Sequence, residues 1–255
     1  MRILDHIYKK KSSGSPLQSI LVDPDKLDNQ NIDSFIKTCN DAHVDLILIG
    51  GSYVLNGPTT ACLEILKKGL IAPVIIFPGS IIQINDQADA ILLLSLISGR
   101  NADLLIGKHV EAAPLLKRSN LEIIATGYIL VDGGISSAVS YMSQTQPIPR
   151  NQMNIAVATA MAGEMLGMKS IYLEAGSGAK KPVPIEMVAA VRNNINIPLI
   201  VGGGIKSPEY AQHLAQAGAD VIVVGNAVEN DLDLIFDLST AIHAVKTIKP
   251  QDDYE

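Results

Sequence analysis

The chain has 255 residues, 47% of them hydrophobic and 18% charged, which is material for one large core and excludes intrinsic disorder as the governing theme. Lys+Arg 20 against Asp+Glu 26 gives a net charge of −6, and three Phe with no Trp leave few stacking platforms. Nucleic acid is therefore not an expected partner, because its phosphates attract a basic surface.

The first residues, MRILDHIYKKK, contain no apolar core of signal-peptide length, so an unexported, cytoplasmic protein is expected. Short aliphatic runs follow at 19–22, 45–50, 73–77, 89–94, 121–126, 170–175, 198–202 and 220–225. They are apolar on both faces, as buried parallel strands are. Helical periodicity fills the intervals Asn31–His43, Thr59–Gly69, Ala102–Ser119, Asn151–Gly167, Pro184–Asn194, Ser207–Gly218 and Asp231–Lys249. Only the third crossover, Gly79 to Ala88, is short. Eight β/α alternations in one domain spanning 1–255 predict a (β/α)8 TIM barrel with a modified third crossover; an open doubly wound sheet is the competing arrangement. Gly69–Asn85, the longest uncharged stretch near a strand, is broken by Pro73, Pro78 and Gly79, so no membrane span is expected. Cys39 and Cys62 lie in helical patterns without metal spacing, which argues against a disulfide framework or a zinc site. The segment Gly133–Gly163 carries one charge, Arg150, and reads as a packed loop, a subunit interface or a substrate-lining insertion.

In a barrel of this kind chemistry belongs where strands end. The first strand ends in LVDPDK, and alternation puts Ser19, Leu21 and Asp23 on one face with Pro24 holding Asp23 extended. Asp-Pro is also ordinary turn chemistry. The second strand ends in IGGS, so Ser52 joins Asp23 at the rim, a hard-oxygen pair compatible with Mg²⁺. In SIYLEAGSGAKK, Ser170, Tyr172 and Glu174 share a face. A carboxylate aimed into an apolar barrel is costly unless used or paired, so Glu174 is the foremost catalytic candidate, with a structural salt bridge as the alternative. VGGGIKS and VVGNAVEN place glycines after the seventh and eighth strands, where backbone N–H groups and a following helix N-terminus can cradle phosphate. The five histidines show no paired ligand spacing and read as structural or surface groups. No nucleophile elbow and no strand-end lysine for a Schiff base appear.

LVDPDK, IGGS, FPGS, YLEAGSGA, VGGGI and VVGNAVE, in this order, resemble the geranylgeranylglyceryl phosphate synthase family, whose bacterial relatives include heptaprenylglyceryl phosphate synthases. The resemblance spans essentially the whole chain, and YLEAGSGA is its most specific element. It implies Mg²⁺-dependent transfer of an all-trans prenyl group, geranylgeranyl first among them, from its diphosphate to the 3-hydroxyl of sn-glycerol 1-phosphate. By the same resemblance Asp23 and Ser52 hold the metal. Tyr172, Leu173, Glu174, Ala175, Gly176, Ser177 and Gly178 hold glycerol phosphate together with Gly203, Gly204, Gly225 and Asn226. Glu174 takes the hydroxyl proton, and Tyr172 beside it is the second catalytic candidate. SLISGRNADLLIGKH resembles the branch that forms higher oligomers, so a homo-oligomer, dimer or hexamer, is expected. A flavin oxidoreductase or sugar-phosphate isomerase on the same barrel, or a non-catalytic phosphoester-binding protein, remain the alternatives.

Overall fold

The eight apolar runs form the staves of a closed parallel barrel. The computed structural model describes residues 2–27, 31–51 and 60–247. Within them β1 (Leu17–Val22), β2 (Leu46–Gly51), β3 (Val74–Pro78), β4 (Ala90–Leu96), β5 (Glu122–Leu130), β6 (Ser170–Glu174), β7 (Leu199–Gly202) and β8 (Val221–Val224) pair in sequence order. Leu17–Ile20 of β1 pair with Val221–Val224 of β8, which closes the sheet and excludes the doubly wound alternative. Strand ends match the expected runs within two residues, except that β5 continues four residues further, through Gly127 and Tyr128. The helices are α1 (Ile3–Ser12), α2 (Ile32–Asp41), α3 (Thr60–Gly69), α4 (Lys108–Arg118), α5 (Ala138–Ser143), α6 (Met153–Met165), α7 (Ile185–Arg192), α8 (Pro208–Gln216), α9 (Asn226–Asn230) and α10 (Leu234–His243). No helix among the described residues is long and apolar enough to cross a membrane.

Both strand faces are buried because each has its own core. Ile20, Ile47, Ile76, Ile171, Val201 and Ile222 point outward under the helices. Their neighbours Leu48, Phe77, Leu92, Tyr128, Tyr172 and Val223 fill the barrel. This two-residue period makes the strands near-continuously apolar in sequence and decides which side chains reach the mouth. At the opposite end α1 closes the barrel, sending Ile3 and Ile7 into the interior cluster. Its first N–H groups are capped by a distant residue: the Glu122 carboxylate accepts from Ile3 N (2.6 Å) and Leu4 N (3.0 Å).

The third crossover is shorter than a helix: only a 3₁₀ turn, Ile81–Gln83, covers it. The expected helix from Ala102 opens instead with a π turn, Asp103–Gly107, before α4. The weakly charged insertion contains α5, whose start is a reciprocal Ser137–Ser140 capping box.

Candidate active site

The strand ends surround a cavity of about 560 Å³ at the C-terminal mouth, lined among others by Asp23, Glu174, Ser177, Gly203, Gly225 and Asn226. Three rings seal its floor: Phe77, Tyr128 and Tyr172, with centroids 5.4–6.0 Å apart. The β5–β6 register places Tyr128 opposite Tyr172 and Leu130 opposite Glu174.

Glu174 stands directly above the aromatic floor and is 5% exposed. Its Oε1 accepts from Gly176 N at 2.7 Å, so one oxygen is oriented by backbone. Burial pushes the carboxyl pKa up to about 7, offset in part by that N–H bond and by the nearby Tyr172 hydroxyl. The Tyr172 hydroxyl is itself buried and makes no well-formed hydrogen bond among the described residues. Burial first, and the Glu174 charge second, raise its pKa far above the ordinary tyrosine range, so it stays protonated beside the carboxylate. Glu174 has no salt-bridge partner among the described residues, which removes the structural ion pair as its explanation.

The cradle is made of backbone. Gly203 and Gly204 both adopt positive φ (86° and 70°), and a Cβ on Gly203 would press on the Glu174 carboxylate and lie 2.7 Å from Ala175 N. Only glycine lets β7 pass so close to the β6 loop. Gly176 and Gly178 are likewise left-handed (98° and 72°), and Ser177 Oγ donates to Asn226 Oδ1 at 3.1 Å, joining the β6 loop to the β8 loop. Behind it the Arg150 guanidinium donates to the carbonyls of Asp132 and Pro182 (3.1 and 2.7 Å), pinning the β5 loop to the β6 loop. Helix N-termini contribute unequally. Asn226 opens α9 and lines the cavity, as expected. After β7 the expectation fails: Ser207 caps α8 by accepting from Tyr210 N, and the lining ends at Lys206.

Leu173 and Ala175, the remaining members of the expected set, do not face the cavity: Leu173 packs outward with Ala175 in the outer core. Leu173 therefore positions its neighbours and offers no side-chain contact, a consequence of strand alternation.

Asp23 ends β1 and caps the Pro24–Lys26 turn, its Oδ1 accepting from Asp25 N at 3.0 Å. Its carboxylate lines the mouth. Ser52 lies outside the described residues. Among those residues no group of three or more His, Cys, Asp or Glu forms a metal cluster. The Asp23 carboxylate at the mouth suits Mg²⁺, which takes one or two carboxylates and fills its shell with phosphate oxygens and water.

A second space opens where the third crossover lacks a helix. This groove, about 300 Å³, runs between Ile81, Ile91, Leu93, Leu104, Ala112 and Leu116, and it shares Phe77, Tyr128 and Val139 with the mouth. Leu104 lies in the π turn, a feature often found at functional sites. His109, read from sequence as structural or surface, also lines the groove, where its Nε2 meets Ser95 Oγ at 2.9 Å and burial lowers its pKa. Sequence reasoning missed this groove and Arg150; the short third crossover was its one visible signal.

A closed parallel barrel with a glycine-backbone cradle, a poised carboxylate and an apolar side groove defines a phosphate-binding (β/α)8 enzyme. The PcrB family matches residues 15–247, and the chain belongs to that family. It is 46% identical over 247 residues to a geranylgeranylglyceryl phosphate synthase of Chitinophaga pinensis, covering 97% of this chain and 98% of that one. The corresponding protein of Spirosoma linguale is 50% identical over 232 residues, covering 91% and 93%. Among solved structures, (S)-3-O-geranylgeranylglyceryl phosphate synthase from Thermoplasma acidophilum, in complex with substrate sn-glycerol-1-phosphate, superposes with a TM-score of 0.90 at 32% identity, covering 96% of this chain and 100% of that one.

Proposed function

We propose that this chain transfers the prenyl group of an all-trans prenyl diphosphate, geranylgeranyl diphosphate first among them, to the 3-hydroxyl of sn-glycerol 1-phosphate. The observation that carries the reading is that Phe77 and Tyr128 line both the apolar groove and the mouth that holds Glu174 and the glycine cradle. An alcohol is a poor nucleophile, a prenyl chain needs an apolar channel, and a phosphate needs N–H donors. The cradle after β6, β7 and β8 binds the phosphate of glycerol 1-phosphate. That placement sets its 3-hydroxyl against Glu174, which accepts the proton as the oxygen bonds to C1 of the prenyl chain and the C1–O bond to diphosphate breaks. A base titrating near 7 is matched to proton removal at neutral pH. The protonated Tyr172 hydroxyl steadies the carboxylate during the transfer. Asp23, with Ser52 as the second expected ligand, would hold Mg²⁺, which supplies charge neutralisation for the departing diphosphate.

The protein works in the cytoplasm as a homo-oligomer, dimer or hexamer. Support for assembly comes from Tyr141, Met165 and Leu166, which are 76–80% exposed on α5 and at the end of α6. Light scattering of the purified chain measures this directly. The reaction itself is tested by incubating the protein with labelled sn-glycerol 1-phosphate, Mg²⁺ and prenyl diphosphates of several lengths. An organic-soluble labelled product is expected; its absence with every donor would refute the reading.

A further inference from the structure

The mouth differs chemically along its rim. From β6 to β8 the polar groups are mainly loop N–H groups and Glu174. Beside β1 they are charged side chains: Asp23, Lys26 and, from α9, Glu229. Lys26 Nζ stands 2.6 Å from Glu229 Oε2 and 4.0 Å from Asp23 Oδ2, so its ammonium spans the loops after two neighbouring strands, β1 and β8. Among described residues lining the mouth, three carboxylates (Asp23, Glu174, Glu229) face two ammonium groups (Lys26, Lys206). Lys206 follows β7, beside the cradle.

If the acceptor phosphate occupies the β6–β8 loops and the prenyl tail enters past β3 and β5, the remaining arc of rim runs through β1. Gly50 and Gly51 of β2 line it without charge, and Lys26 is the cation on its β1 side. We propose that Lys26 binds the diphosphate of the prenyl donor, exchanging Glu229 for a phosphate oxygen, and so fixes the donor's C1 toward the acceptor hydroxyl. This rests on the reaction proposed above. The exchange is inexpensive, because the Lys26 side chain is 53% exposed and an ion pair at that exposure contributes little. A diphosphate offers more negative charge than one carboxylate and several acceptors for the three ammonium protons. Glu229 then has a role of its own, parking the ammonium at the rim before the donor arrives.

The test uses inorganic pyrophosphate as the probe, titrated calorimetrically into the full chain with Mg²⁺, alongside sn-glycerol 1-phosphate titration and the product assay. Lys26→Met is expected to weaken pyrophosphate binding by about 10- to 100-fold while leaving glycerol phosphate affinity within about twofold. Lys26→Arg should recover most of the loss, since the charge is kept. Glu229→Gln separates a ligand from a structural strap: with the competing carboxylate removed, pyrophosphate should bind at least as tightly as to the parent. Parent-like pyrophosphate binding by Lys26→Met, or equal weakening in Lys26→Met and Glu229→Gln, would overturn the proposal while a parent that still makes product keeps the reaction intact. A parent that makes no product overturns both.

Discussion

The mouth and the side groove meet at the same aromatic residues yet are built by opposite means. Around the β6 and β7 loops of the mouth, backbone sets the geometry: positive-φ glycines let the two loops approach closely, and the buried Glu174 carboxylate is oriented by Gly176 N. In the groove the walls are aliphatic side chains carried by β4, the 3₁₀ turn, the π turn and α4, with no glycine cradle among them. The difference has a physical cause. A phosphate is satisfied by N–H dipoles at fixed positions, whereas a prenyl chain needs only removal from water along its length. The mouth should therefore respond sharply to single atoms and the groove gradually to volume.

The largest effect expected is at the base. Glu174→Gln keeps the volume and the acceptor for Gly176 N but cannot take a proton, so kcat should fall by roughly 10²–10⁴-fold with little change in prenyl diphosphate affinity. Turnover within a few-fold of the parent would transfer proton removal to water or to the leaving diphosphate. Next comes the cradle. Gly204→Val puts a β-branched side chain at φ +70°, with its Cβ 3.1 Å from Ala179 O and 3.2 Å from Pro182 N. Strain of about 1–3 kcal/mol must be relieved by moving the loop, so the KM for glycerol phosphate should rise about tenfold or more, well beyond any change in the KM for the donor. An unchanged KM would remove Gly204 from the phosphate site.

The groove predicts a smaller, graded response. Ala112, 5% exposed on α4, faces the apolar channel, and Ala112→Phe would shorten the space available to the tail. The expected result is a loss of roughly tenfold in kcat/KM for the longest prenyl diphosphates, a lesser loss for short ones and none in the glycerol phosphate KM. A uniform loss across donor lengths would mean that this channel is not where the tail lies, and the contrast between the two regions would fail.

The same contrast explains what the amino-acid sequence disclosed. Strands are legible because burial on both faces leaves uninterrupted Ile, Leu and Val runs, and the cradle is legible because left-handed backbone demands glycine at Gly203, Gly204, Gly176 and Gly178. Glu174 stood out as a charge in an apolar strand. The groove left no comparable mark, since Ile81, Leu93, Leu104 and Ala112 are plain aliphatic residues in the sequence until the fold sets them face to face. Helix α1 was missed for a similar reason: its N-terminal cap is supplied by Glu122, 118–119 residues away in the chain. Arg150 is legible only as a lone charge in a long insertion, since its role depends on carbonyls 18–32 residues away in the chain, at Asp132, Lys181 and Pro182. The expected helix across 103–107 is a π turn in the structure, because a π turn and an α-helix carry the same local propensities.

The last predicted effect is on stability, and it isolates Glu174 from any substrate. Burial raises its pKa from the ordinary 4.5 to about 7, so across that window the folded chain holds a proton that the unfolded chain has released. The resulting stabilisation is complete below about pH 4.5 and disappears as pH rises through 7, where the folded protein carries a buried, partly compensated charge. Glutamine at this position stays neutral throughout. The Tm of Glu174→Gln minus that of the parent should accordingly grow between pH 5 and pH 8 and level off above it. The full swing is on the order of 3 kcal/mol, or several degrees in a chain of this size. Every other titrating group is common to both proteins and cancels in the difference. A Tm difference constant over that range would mean that the carboxylate ionises in its ordinary range despite burial, and a base poised near neutrality would no longer follow from the geometry of the mouth.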